Sequence, residues 1–130
     1  MKYVLLIYSN PETWRHPSYK YISEAKSAEK LAEMQAKSDE LTRQFEATGE
    51  LLYAEPLATP SRAKLGRTKG GTPVVTDGPF LESKEQLAGY FVIDVATPER
   101  AYEIAALFPE TEYSPIEVRP ISGPEDMDDE

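Results

Sequence analysis

The spacing of apolar and polar residues changes several times along the chain, and each change marks an element. The opening "KYVLLIY" is nearly continuously apolar and rich in β-formers, the pattern of a central strand covered on both faces. "SNPETWRHPSYKY" breaks that pattern with two prolines and reads as a loop. Over about 23–48 the chain is dense in Ala, Glu, Lys and Gln, and Leu31, Met34, Ser38, Leu41 and Phe45 recur at alternating steps of three and four. This spacing predicts an amphipathic helix closed by Gly49.

The second half continues in the same way. "ELLYAEPL" predicts a short strand, and "ATPSRAKLGRTKGGTPVVT" predicts a hairpin turning at Lys69-Gly70-Gly71. Pro73 lacks an amide donor, which pushes that hairpin toward the sheet edge. "LAGYFVIDV" is another strand. "TPERAYEIAALFPE" is a second helix, with Thr97 as N-cap, Pro98 in the first turn and Ala101, Ile104, Ala105 and Phe108 on one face until Pro109 ends it. "SPIEVRPI" alternates into a last strand.

With the hairpin set aside, the order is β-α-β-β-α-β, the ferredoxin-like arrangement of an α+β protein. Both helices then cover one face of an antiparallel sheet, and strands this apolar need cover on the other face too. A homodimer burying that face is the economical solution.

Composition narrows the class. A chain of 130 residues, 40% hydrophobic and 28% charged, suits one globular domain. We expect that domain over 1–121, followed by a solvated, disordered acidic tail over 122–130 in which "EDMDDE" has little to bury. There is no cysteine, which excludes disulfides and a thiolate nucleophile and suits a reducing cytoplasm, the expected location. The apolar run over 3–8 is too short for a signal or a membrane span. A net charge of −9 and a pI near 4.7 argue against nucleic acid and anionic membranes as partners.

The densest concentration of candidate chemistry is "VVTDGPFLESKEQLAGYF", over 74–91. Asp77-Gly78-Pro79 is first a turn: Asp can accept its own downstream amides, and Pro79 restricts Gly78 as well as itself. The alternative is that this rigid corner holds Asp77, Glu82, Lys84 and Glu85 over a pocket. Lys84, flanked by carboxylates, suits anion binding better than amine nucleophilic chemistry.

"YVLLIY", "VVTDGPFLESKEQLAGYFVIDV" and "IEVRPI" together resemble the YCII-related, or DGPF-domain, family of small bacterial proteins, over 2–121. The resemblance implies a dimeric α+β barrel of ferredoxin-like subunits and no particular reaction. Some family members resemble accessory proteins of extracytoplasmic-function sigma factors. Others look like His-Asp enzymes, with a histidine on the first helix and an aspartate near the end of the second. Those positions correspond here to the neighbourhoods of Ser38 and of Leu107 or Phe108, so a His-Asp mechanism does not carry over. Ser38 nevertheless lies in an apolar stripe, where its hydroxyl needs the carbonyl one turn earlier, a ligand or water.

His16 is the single histidine, beside Trp14 and Arg15 in a loop, and no cysteine or second histidine completes a zinc site. We expect no metal and no cofactor: EF-hand spacing, phosphate loops and dinucleotide fingerprints are all absent. Two functions stay open. One is a dimer binding a small molecule, with or without catalysis, in a pocket lined by Tyr8, Ser38, Tyr53, Asp77, Phe80, Glu82, Lys84, Glu85 and Tyr90. The other is a noncatalytic protein partner, for example of a sigma factor, using its acidic surface against a basic protein.

Overall fold

The computed structural model describes residues 1–9, 28–79, 86–112 and 115–121. In chain order its elements are β1 (Lys2–Ser9), α1 (Ala28–Ala47), β2 (Leu51–Pro56), β3 (Lys64–Lys69), β4 (Thr72–Asp77), β5 (Gln86–Asp94), α2 (Pro98–Leu107) and β6 (Ile116–Pro120). The expected loop beyond residue 9, the start of the first helix at 23–27 and the acidic tail lie outside the described residues.

Period-two alternation assigns the faces of the sheet. Tyr3, Leu5 and Ile7 on β1 are buried and stand opposite Ile93, Phe91 and Gly89 on β5 and Pro120, Val118 and Ile116 on β6. Most of these side chains join Leu41 and Phe45 of α1, together with Ala101, Ile104, Ala105 and Phe108 of and after α2, in one core cluster. Both helices therefore cover the same sheet face. On the other face Val4, Leu6 and Tyr8 are half-buried, across from Val92, Tyr90 and Leu87 on β5.

The four-stranded sheet runs β2-β5-β1-β6 with every pairing antiparallel, which is the ferredoxin-like order once the hairpin is set aside. The hairpin corrects one expectation, because β3 and β4 pair only with each other, in a separate two-stranded sheet, and not at the main sheet's edge. The reason is topological. β2 and β5 are direct neighbours, Ala54 opposite Phe91, so the chain joining them leaves the sheet at Pro56 and closes on itself as a hairpin before returning. Gly70 and Gly71 have φ of 55° and 81°, the positive pair that a two-residue turn of type I′ requires. The hairpin and the turn before it are basic, with Arg62, Lys64, Arg67 and Lys69 all exposed against one carboxylate, Asp77.

Local signals end the helices where the sequence places them. Thr97 Oγ1 accepts the Arg100 amide at 3.2 Å at the start of α2. Gly49, at φ 81°, follows α1 and donates its amide to the Glu46 carbonyl at 3.1 Å.

Candidate functional site

The connection leaving β2 and the turn returning to β5 meet at the base of the hairpin. Leu57 donates its amide to the Ala88 carbonyl at 2.8 Å, which keeps the departing chain against β5. Pro60 then opens a 3-10 turn, Pro60–Arg62, its fixed φ suiting the first helical position. After β4, the Gly78 amide donates to the Ala63 carbonyl at 2.9 Å and closes the base. The Gly78-Pro79 peptide is cis.

A side chain at position 78 has no room, since a Cβ there would sit 2.9 Å from the Ala63 Cβ and 3.1 Å from the Ala63 carbonyl carbon and oxygen. The glycine of the turn is thus needed for its close approach to Ala63, just before β3. Gly78→Ala is expected to lower stability by about 1–2 kcal/mol through overpacking, read as a shifted urea midpoint. An unchanged midpoint would show that the base of the hairpin yields freely.

Between this turn, the 57–63 connection and the start of β5 lies a cavity of about 340 Å³. Its described walls are mainly apolar, from Leu57, Ala58, Pro60, Ala63, Pro79 and Leu87. Thr59, Arg62 and Gln86 bring the polar groups. Among the described residues no carboxylate lines it, and Arg62 has no ion-pair partner.

The residues singled out from sequence fall in several places. Phe80, Glu82, Lys84 and Glu85 lie outside the described residues. Asp77 stands directly across the hairpin from Lys64, and their side chains pair at 2.6 Å, with the Asp77 side chain 87% exposed. Its carboxylate therefore serves a cross-strand surface pair, worth little in water, where the sequence suggested bonds to its own downstream amides. Pro79, two residues on, is the part of this corner that faces the cavity.

Tyr8, Tyr53 and Tyr90 share the sheet face away from the helices. Tyr53 and Tyr90 meet edge to face, 5.9 Å between centroids, and Tyr8 donates to Glu117 Oε1 at 3.0 Å. A hydrogen bond with Tyr53, then burial and the negative charge of Glu55, hold the Tyr90 phenol above its ordinary pKa. Burial first, then the Glu117 bond and charge, do the same for Tyr8 against the opposing effect of Arg119. Both phenols stay protonated at neutral pH, which makes them hydrogen-bond donors and not bases.

Ser38 sits on α1 in the stripe of Met34, Leu41 and Phe45, on the opposite side of the sheet from the tyrosines. It is half-buried, and among the described residues its hydroxyl has no protein partner; its carbonyl instead accepts from Thr42 Oγ1 at 2.8 Å. Partial exposure lets water satisfy that hydroxyl, so the backbone bond expected one turn earlier is not formed. The structure thus gathers the three tyrosines on one face, and keeps Ser38 and Asp77 apart from them.

The walls of the cavity over 57–63 were missed from sequence, because "LATPSRA" was divided between the end of a strand and the start of the hairpin. The usable signal was a pair of prolines, Pro60 and Pro79, bracketing a hairpin whose ends must meet. Among the described residues no cluster of His, Asp and Glu is suited to hold a metal ion, and no helix is long and apolar enough to cross a membrane.

Order, pairing and the inserted hairpin define a small ferredoxin-like α+β protein with a cavity at the hairpin base. The YCII-related domain model matches residues 1–124, and the chain belongs to that family. It is also similar to an uncharacterised protein of Rhizobium meliloti (strain 1021), 36% identical over 63 residues, covering 48% of this chain and 51% of the relative. The chain thus spans about half the length of the curated relative it matches.

Proposed function

We propose that this YCII-related protein binds a small molecule in the cavity beside the Gly78-Pro79 turn, within a homodimer whose sheets close into an α+β barrel. The observation that carries the reading is the cavity of about 340 Å³, mostly apolar and with few polar groups. Small-molecule sites have this character and span roughly 300–1,000 Å³. The dimer is supported by the row of Val4, Leu6 and Val92 on the sheet face away from the helices, an apolar surface that a second copy would bury. Sedimentation as a monomer at micromolar concentration removes the barrel from this reading and leaves the cavity.

A thermal-shift screen tests binding, because a ligand that binds only the folded state raises its stability, by about 2.7 kcal/mol at a hundred times its dissociation constant. Ala58 is exposed and lines the cavity, so Ala58→Trp is expected to fill the space without disturbing the core. Compounds that raise the Tm of the parent protein are expected to leave that of the folded variant unchanged. Equal shifts in both proteins would place the binding elsewhere.

A further inference from the structure

We infer that the cavity at the hairpin base takes a small monocarboxylate with an apolar body, its carboxylate paired with Arg62, an inference that rests on the binding role proposed above. The walls contributed by Leu57, Pro60, Pro79 and Leu87 match an apolar body. Arg62 is the one charged group among the described lining residues and has no ion-pair partner among them. Its near neighbour Lys64 is already matched by Asp77, so among the described residues the unmatched charge at the cavity is that of the guanidinium.

A guanidinium fork fits the two oxygens of a carboxylate, and no described lining residue competes as an anion. A dianion would keep one charge uncompensated against apolar walls, which is costly, and a cationic ligand would meet Arg62 directly. Arg62 is exposed, so its preference for a carboxylate over an isosteric amide is of surface ion-pair size.

Phenylacetate and phenylacetamide distinguish the alternatives, titrated separately into isotope-labelled protein while the backbone amide resonances are followed. Phenylacetate is expected to move the amides of Leu57, Thr59, Ala63 and Leu87 and to bind about threefold to fivefold more tightly than phenylacetamide. Arg62→Gln, with an otherwise superimposable spectrum, is expected to equalise the two affinities, and raised salt is expected to narrow the gap in the parent. Equal affinities in the parent, or a preference that survives in Arg62→Gln, would overturn the ligand class and leave the cavity as a binding site. If neither compound moves these amides, the ligand class fails, and the thermal-shift comparison with Ala58→Trp decides the binding role separately.

Discussion

Phe108→Ala is expected to destabilise the protein by about 3–5 kcal/mol, the largest effect of any single change discussed for this chain. Phe108 follows the last turn of α2 and is 1% exposed. Its ring lies 4.8 Å from that of Phe91 on β5 and 6.3 Å from that of Phe45 on α1, so it is the point where both helices and the sheet meet. Truncation removes the transfer energy of the ring and leaves a space that three elements cannot all move to fill. Urea unfolding would show a lowered midpoint with an unchanged slope. Tyr102→Ala, on the exposed side of α2, is the control and is expected to stay within about 0.5 kcal/mol of the parent. Similar losses in the two variants would contradict this account of the core.

Glu50→Gln is expected to cost about 1.5–3 kcal/mol at neutral pH, the range for a hydrogen bond to a charged group. Glu50 receives Arg100 Nε on Oε2 at 2.8 Å and Nη2 on Oε1 at 2.9 Å, a two-pronged pair between the turn after α1 and the first turn of α2. The side chains are 19% and 30% exposed, and the guanidinium also lies 5.5 Å from the centre of the Phe45 ring. Hydrogen bonding from Arg100, helped by Thr48 and by the Arg100 charge and opposed by burial, holds the Glu50 carboxyl below its ordinary value of 4.5.

The sign of the pH dependence follows from that direction. On acidification the unfolded chain takes up the proton first, so the contribution of the pair is complete above about 4.5 and is lost as the pH falls through the lower folded value. The gap in stability between parent and Glu50→Gln should therefore narrow on acidification through that window. A gap that stays constant to strongly acidic pH would show that the charge of Glu50 is not what the pair depends on.

Features with a local cause were legible from the residues alone. Thr97 caps α2, Gly49 follows α1 with positive φ, and Gly70-Gly71 turns the hairpin because each depends on a few neighbours in the chain. The alternation of β6 likewise matched the faces that the sheet assigns it, and the nearly continuous apolar run of β1 suited its place between β5 and β6. The Lys64-Asp77 pair was within reach too, since counting back from a turn at Gly70-Gly71 places the two residues opposite each other. Glu50 and Arg100 were not, because fifty residues separate them and only the packing of α2 beside the end of α1 brings them together. The walls of the cavity were hidden for the same reason: Leu57 and Leu87 belong to separate stretches whose approach depends on where the hairpin leaves the sheet. Asp77 drew attention through its chemistry, while position gave the cavity to Pro79.

Among the described residues the hairpin also concentrates positive charge within an acidic chain. Four exposed cations stand at its base and along β3, against Asp77 as the one carboxylate of the hairpin. An anion diffusing near a molecule with pI near 4.7 is repelled on average, yet it is drawn toward one end, and its capture is faster there than the net charge implies. That asymmetry acts over roughly one Debye length, about 10 Å at 0.1 M salt, so it sets arrival rates in dilute buffer and fades as salt is added. The same end would orient the acidic molecule on a negatively charged chromatographic surface, hairpin first.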